Sequence, residues 1–193
     1  MPRPKSFDPD TALAKAMDVF WDKGYDAASI ADLTAAMGIN RFSLYDTFGD
    51  KHTLYLKALD SYERRVVDPM LDKIRAIQTL DELETHFENV VENRCIASDT
   101  PCCMIQKAAI SSPTTDQSIL DHVSRSRARV HDAFSDVFAR LITKGEIREG
   151  VTPEQAAWLV MLTHAGLMSQ GATPLPTQQV RSALTVLFQA LRS

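Results

Sequence analysis

The chain has 193 residues, of which 45% are hydrophobic and 24% charged, and its formal net charge at pH 7 is −4. This is the composition of an ordinary globular protein, and the length is enough for one or two domains. No apolar run approaches the roughly 18 residues of a membrane span. Residues 1–10 include basic residues, but the apolar core of a signal peptide does not follow them. We therefore predict a cytoplasmic protein with no membrane partner.

The sequence pattern is helical almost throughout, and strand-like alternation is not sustained anywhere. Capping residues and glycines bound the first four predicted helices. The caps are, in chain order, Asp8 or Asp10, Ser29, Asn40 and Asp50, and the terminating glycines are Gly24, Gly38 and Gly49. Pro69 lies inside the fourth helical pattern and predicts a kink or an end there.

Five further helices are predicted in the rest of the chain. They begin near Asp81, Cys103, Thr115, Thr152 and Thr177. Thr152 and Gln155 have the spacing of a capping box, with Pro153 in the first helical position. The sequence thus predicts an all-α fold of about nine helices, with a three-helix unit at residues 1–49 and a larger bundle at residues 50–193.

The second and third helices, joined at Gly38, match a helix-turn-helix. In the third helix, Leu44 and Phe48 are four residues apart and can pack inward. The polar and aromatic residues around them then remain available to a DNA groove. We predict DNA contacts from Ser29, Arg41, Phe42, Ser43, Tyr45, Thr47 and Lys51.

These residue types suit particular DNA groups. Arg41 can pair with a guanine, and Phe42 can touch a thymine methyl group. Ser43 and Thr47 can serve bases or phosphates, whereas Tyr45 and Lys51 suit phosphates. The arm that carries Arg3 and Lys5 could reach flanking phosphates or a minor groove.

Other interpretations of the helix-turn-helix remain open. Residues 1–60 hold seven basic and nine acidic residues, so bulk charge does not support DNA binding. Arg41 could pair with Asp46 instead of a base, and Tyr45 could be half-buried. A protein-interaction module that has lost DNA binding is therefore the alternative function. An enzyme is not predicted, since no nucleotide loop, Ser-His-Asp grouping or paired-carboxylate motif is present.

Residues 13–56 resemble the N-terminal domain of TetR/AcrR-family transcriptional regulators. The resemblance lies in ALAKAMDVFWDKGYDAASIADLTAAMGI and SLYDTFGDKHTLY, with F-x-x-x-G-Y, S-I-x-x-L, G-I and S-L-Y in the family order. The usual His or Tyr-His before the Phe is Asp46-Thr47 here. The resemblance implies a homodimeric repressor that a small-molecule effector releases from a palindromic DNA operator, with no cofactor.

The same resemblance implies that the larger domain, residues 50–193, binds ligand and dimerises. Ligand binding would move the fourth helix, and the last two long helices would pair with their copies. Small and apolar residues suit the first of these interface helices, or alternatively a core within one subunit; they are Ala157, Leu159, Ala165, Gly166 and Met168. Candidate pocket residues, which are equally suited to an ordinary core, are Phe87, Val91, Trp158, Met161, Leu162, His164 and Met168.

The segment TPCCMIQKA places Cys103 near the start of a short helix, where the helix dipole favours a reactive thiolate. The segment resembles the G-C-L-L sequence of electrophile-responsive repressors, with Cys102 in place of the glycine. Lys107 could add to the activation of the thiol, and oxidation or alkylation of Cys103 could be the signal. The alternative is that Cys103 is a buried small apolar residue.

Neither a disulfide nor a metal site is predicted. The three cysteines, Cys95, Cys102 and Cys103, are odd in number, and two of them are adjacent. No pair of cysteines or histidines has a recognised metal-ligand spacing. Arg125, Arg127 and Arg129 alternate by two and so are predicted to spread around a solvated helix.

Overall fold

The computed structural model describes residues 7–92, 102–111, 116–169 and 176–193. These residues fold into helices, and the one β-bridge among them joins Ile147 to Arg192. The helices are α1 (Pro9–Ala27), α2 (Ile30–Met37), α3 (Arg41–Phe48), α4 (Lys51–Tyr62), a π-helical segment (Glu63–Val67), α5 (Asp68–Ala76), α6 (Leu80–Val91), α7 (Met104–Ser111), α8 (Gln117–Thr143), α9 (Pro153–Met168) and α10 (Thr177–Leu191). Because α4, the π segment and α5 are continuous, the described residues form nine helical segments, and the all-α prediction is confirmed.

Side-chain caps begin the N-terminal helices, as the sequence predicts. Asp8 rather than Asp10 caps α1 by accepting from the Thr11 amide at 3.0 Å. Asn40 accepts from the Ser43 amide at 2.8 Å, which fixes the first turn of α3. Gly24 has φ 80° and ψ 174°, so it interrupts the helical backbone near the end of α1 where the sequence predicts the break.

The sequence left open whether the fourth helix kinks or ends at Pro69. In the structure the helical run does not end there. Pro69 lies in the first turn of α5, where a missing N–H is tolerated. The π segment directly precedes this turn, and the Asp68 amide donates to the Glu63 carbonyl five residues earlier. One wider turn thus absorbs the lost hydrogen bond, and the chain stays helical.

One connected cluster of buried side chains runs from Ala12 to Leu191. Helix α1 packs on α2, α4 and α7, while α8 packs on α5, α7 and α9. Tyr55 of α4 lies edge-on to Phe20 of α1, with ring centroids 4.9 Å apart. Since α4 shares the core of α1, packing does not mark residue 49 as a boundary, and the division into two domains stays a prediction.

None of the described helices is both long and apolar enough to cross a membrane.

Candidate DNA-binding surface and central cavity

Helix α3 has one buried and one exposed face. Leu44 and Phe48 are buried, with 0% and 4% of their surface exposed, which confirms that they anchor the helix. Phe42 is 79% exposed and Tyr45 is 39% exposed. A large apolar ring in solvent lacks the stabilisation that burial would give. The folding of the subunit alone therefore does not explain why the Phe42 ring is exposed.

Arg41 lies along Tyr45 and not against Asp46. The Arg41 guanidinium carbon is 5.5 Å from the Tyr45 ring centroid, and one guanidinium nitrogen is 3.5 Å from the phenolic oxygen. Among the described residues, Asp46 forms no ion pair. The exposed face of α3 therefore carries a cation stacked on an aromatic ring, and the alternative Arg41–Asp46 pair does not form.

Ser29 and Lys51 frame α3 on the neighbouring helices. Ser29 is exposed, but its hydroxyl is already the N-cap of α2, accepting from the Asp32 amide at 3.0 Å. Lys51 is the first residue of α4, as predicted, and its ammonium lies 4.6 Å from the Tyr25 ring centroid. It also donates to the Asp26 carbonyl at 3.4 Å. The DNA contacts predicted for both residues remain predictions.

A capping box and an ion pair fix the start of α2. Lys23 donates to Asp32 at 2.7 Å, and this hydrogen bond, followed by those from Ser29, holds the pKa of the Asp32 carboxyl well below its usual value. The Ser29 amide donates to the same carboxylate at 2.9 Å. These contacts orient α2, which in turn packs against α3.

The bundle contains a partly open cavity of about 320 Å³, which we call the central cavity. One wall comes from the run α4 to α5, through Tyr62, Val66, Val67 and Met70. The start of α7 contributes Cys103, Ile105 and Gln106, and α8 contributes Ser126, Arg127 and Val130. Helix α9 supplies the remaining wall, through Trp158, Met161, Leu162, His164, Ala165 and Met168. The volume falls at the lower end of the range of about 300–1,000 Å³ that is usual for small-molecule sites.

Most of the predicted pocket residues line this cavity, but Phe87 and Val91 do not. Both are fully buried on α6. The Phe87 ring instead packs against Phe188, with centroids 5.5 Å apart, and against His164 at 5.9 Å. The helical spacing placed Phe87 and Val91 on an inward face, yet that face meets α9 and α10 rather than the cavity.

Sequence reasoning missed the wall from α4 to α5. Tyr62, Val66 and Met70 recur every four residues, and this was the available signal, but the proline obscured it. Arg129 was also misassigned to a solvated face, since it pairs with Glu63 at 3.0 Å and with Asp68. The hydrogen bond that Arg129 donates to Asp68 is the largest cause of the raised pKa of Arg129.

Cys103 lies at the N-terminus of α7 and borders the central cavity. Its thiol is free and half-buried, and its carbonyl accepts from the Lys107 amide at 2.9 Å. The Lys107 ammonium points elsewhere, donating to the carbonyls of Trp21 and Asp22 at 2.9 and 2.5 Å. The predicted effect of Lys107 on the Cys103 thiol is therefore not seen, because the Lys107 ammonium donates its hydrogen bonds to α1.

A joint between α1 and α7 connects the helix-turn-helix unit to the cavity wall. Besides Lys107, it contains the Trp21 indole N–H, which donates to the Cys102 carbonyl at 2.7 Å. The Trp21 ring also lies edge-on to Tyr62, with centroids 5.0 Å apart. Trp21 thus touches both Tyr62, which lines the cavity, and the residue preceding Cys103.

Metal-ligating side chains do not cluster in the part of the chain described: no group of three or more His, Cys, Asp or Glu residues there could hold an ion. Cys95 lies outside the described residues. Burial lowers the pKa of His86, and its ring stacks on His164 with centroids 5.9 Å apart.

The outer faces of α9 and α10 expose apolar and small residues. On α9, Leu159 and Leu162 are 43% and 63% exposed, and Gly166 is exposed in line with them. On α10, Val186 is 66% exposed, with Ala183 and Ala190 on the same stripe. Ala157 and Met168, which the sequence also assigned to an interface, are buried within the subunit.

Comparison with known proteins agrees with this architecture. The profile of the family described as "Bacterial regulatory proteins, tetR family" matches residues 12–58. An HTH-type transcriptional regulator of Bacillus subtilis (strain 168), YezE, is 30% identical over 148 residues, which is 76% of each chain. The HTH-type transcriptional repressor AcnR of Corynebacterium jeikeium (strain K411) is 27% identical over 98% of each chain.

Among solved structures, a cysteine mutant of the TetR-family transcriptional regulator CifR, complexed with 26-base-pair double-strand operator DNA, superposes with a TM-score of 0.83. It is 28% identical, and the match covers 98% of this chain and 99% of that one. The reduced form of Escherichia coli NemR shares the fold, with a TM-score of 0.75 at 12% identity over 92% of this chain and 94% of that chain. The extent of these matches and the helix-turn-helix geometry together show that the chain is a transcriptional regulator belonging to the TetR family.

Proposed function

We propose that the protein is a homodimeric repressor that binds a palindromic DNA operator and is released from it by a small molecule in the central cavity. The observation that carries the proposal is the exposed face of α3, where Phe42 is 79% exposed and Arg41 stacks on Tyr45. Burial in the subunit does not account for these side chains. A major groove, by contrast, offers each of them a partner. The operator DNA bound to CifR supports the same assignment.

In the proposed complex, α3 enters the major groove with its N-terminal residues at the base edges. Arg41 pairs with a guanine, and Phe42 contacts a thymine methyl group. Ser43, Thr47 and Ser29 contact bases or phosphates at the edge of the groove. Tyr45 and Lys51 contact phosphates, and Lys51 would exchange its contact with the Tyr25 ring for this.

A second copy of the chain covers the outer faces of α9 and α10. A helix normally buries its apolar stripe against another element, and these stripes face solvent in the single subunit. Pairing them around a two-fold axis would produce a four-helix interface and place two α3 helices on successive major grooves, about 34–36 Å apart.

Substitution of Val186 by Arg tests the dimer. A buried, unpaired charge at the interface should give a monomer in analytical ultracentrifugation. Ile110→Arg is the matched control, since Ile110 is similarly exposed, at 76%, but lies on α7. A dimer that survives Val186→Arg would rule out this interface.

The cavity is positioned to influence α1. Tyr62 on its wall meets Trp21, and the loop that carries Cys103 holds the Trp21 indole through Cys102. A ligand that displaces α4 or α7 therefore acts on the last turns of α1, and so on the orientation of α2 and α3 against it. Ligand binding and DNA binding are thereby coupled through one packed joint.

Alkylation of Cys103 is a second candidate signal, favoured by the position of its free thiol at the cavity wall. N-Ethylmaleimide tests it: the sulfur adds to one carbon of the ring C=C bond, and the thiol proton ends on the other. Treated wild type should lose DNA affinity. Cys103→Ser should be resistant, whereas Cys102→Ser should respond like wild type; an intact response in Cys103→Ser would remove Cys103 from the mechanism.

Fluorescence anisotropy with duplexes from the DNA flanking the protein's own gene tests operator binding. We expect one duplex to bind far more tightly than the others, with an affinity that falls steeply as salt rises because phosphate contacts release counterions. If no duplex binds at about 50 mM salt, the repressor assignment fails and the protein-interaction alternative gains support.

A further inference from the structure

The lining of the central cavity is mostly apolar and contains one arginine. Among the described residues that line it, Arg127 is the one arginine or lysine, and none is an aspartate or a glutamate. The rest of the wall is mainly aliphatic, aromatic or methionine. We propose that the effector is a small organic anion, a carboxylate on an apolar body, with Arg127 binding the carboxylate. This inference rests on the proposed function of the cavity as the effector site.

Arg127 forms no ion pair among the described residues, unlike Arg129, which lies two residues later. Arg129 is held by Glu63 and Asp68, so its charge is already neutralised within the subunit. In the described part of the chain, Arg127 has neither a salt bridge nor a side-chain hydrogen bond, although it lines the cavity. An anion can therefore bind Arg127 without breaking an existing pair.

Two carboxylates on the helical run beside the lining are already paired within the subunit. Glu63 and Asp68 lie on the same helical run as the lining residues Val66 and Val67, and both pair with Arg129, whose single positive charge offsets one of their two negative charges. Neither carboxylate lines the cavity, whereas Arg127 does, so Arg127 is the charged side chain that an anion in the cavity meets directly. An arginine presents a planar pair of donors that matches the two oxygens of a carboxylate. A ligand with an alcohol or an amine head group does not offer two such oxygens.

The remaining wall selects an apolar body of limited size. Met70, Met161 and Met168 are flexible and adapt to ligands of different shape, and Trp158 adds an aromatic ring to the lining. The cavity volume of about 320 Å³ lies at the lower end of the range of about 300–1,000 Å³ for small-molecule sites, which favours a small ligand. A carboxylate with eight carbons in all is therefore a suitable probe.

Arg127 is exposed, so screening by solvent limits what its charge can contribute. The hydrogen bonds to a carboxylate are nevertheless charge-assisted, and one side of the site is apolar protein. We therefore expect the charge of Arg127 to account for about a five- to tenfold gain in affinity.

Octanoate, octanol and octylamine form a matched series for titration calorimetry with the full chain at pH 7.5. All three have eight carbons, and their head groups are negative, neutral and positive at this pH. Because the carboxylate contains one of the eight carbons, octanoate has the shortest alkyl chain, so a longer apolar body cannot explain tighter binding of octanoate. We expect octanoate to bind most tightly and octylamine most weakly. Equal affinity for octanoate and octanol, or binding of none of the three, would overturn the proposal.

Variants assign the effect to one residue. Arg127→Gln should weaken octanoate by about five- to tenfold while leaving octanol unchanged, and Arg127→Lys should restore part of the loss. Arg125→Gln is the control, because Arg125 is exposed on the same helix but does not line the cavity. If Arg127→Gln has no more effect than Arg125→Gln, Arg127 is not the anion site.

The proposed ligand class and the proposed repressor function are tested by separate measurements, so either hypothesis can be refuted without the other. Calorimetry needs no DNA, so the head-group preference and its dependence on Arg127 test the ligand class alone. Addition of octanoate to the protein–operator complex, followed by anisotropy, tests whether the cavity controls DNA binding. Arg127-dependent binding of octanoate without loss of DNA affinity would support the ligand class and refute the ligand-controlled repressor.

Discussion

The α1–α7 joint gives the most direct test of how the cavity communicates with the DNA-binding surface. Lys107→Met removes the ammonium that donates to the Trp21 and Asp22 carbonyls, but retains most of the aliphatic stem that packs near Gly24. These carbonyls lie in the last turn before the helical break, where backbone acceptors lack amide partners of their own.

The expected loss of stability follows from these contacts. A hydrogen bond to a charged group contributes about 1.5–3 kcal/mol, but one of the two bonds here is exposed, and releasing a lysine side chain returns up to about 2 kcal/mol of entropy. We therefore expect the free energy of unfolding to fall by about 1–2 kcal/mol. For a chain of this size, the melting temperature should fall by about 2–8 °C.

Lys144→Met is the matched control, since Lys144 also donates to a backbone carbonyl, that of Gln78 at 2.6 Å, but far along the chain from α1. Thermal unfolding by circular dichroism should show a loss of stability in both variants. Only Lys107→Met should weaken the effect of a cavity ligand on operator affinity. An unchanged melting temperature in Lys107→Met would show that the ammonium contacts are not formed in solution, and an unchanged ligand effect would show that the joint does not transmit the signal.

Three further predictions concern the DNA-binding surface and its support. Arg41→Ala should relax sequence preference at one position of each half-site, at a cost of about 1–3 kcal/mol for the preferred base, which competition with single-base operator variants measures. Lys51→Ala should weaken all duplexes alike and reduce the salt slope by about one unit; an unchanged affinity would contradict the phosphate contact. Because the pKa of Asp32 is lowered in the folded state, its stabilisation is present above its ordinary pKa of 3.8 and is lost as the pH falls through the folded value. Asp32→Asn should therefore be less stable at pH 7 and lose less stability on acidification, whereas Asp46→Asn, outside the capping box, should follow wild type.

The sequence by itself determined the helices and the two faces of α3. Caps such as Asn40 and breaks such as Gly24 act within a few residues, so their effects can be predicted before the tertiary fold is known. The anchoring of α3 by Leu44 and Phe48 likewise follows from the helical period. The DNA-binding hypothesis depended on these local signals, and the whole-chain charge pointed the other way.

Only the tertiary structure decided which inward-facing residues border the cavity and which charges are already paired. Phe87 and Trp158 both suited a pocket, but Phe87 faces α9 and α10, and Trp158 borders the cavity. Arg127 and Arg129 looked equivalent, yet Arg129 meets two carboxylates and Arg127 meets none in the described residues. The physical reason is that a helical period fixes which residues share a face, while the partner of that face depends on how separate helices pack.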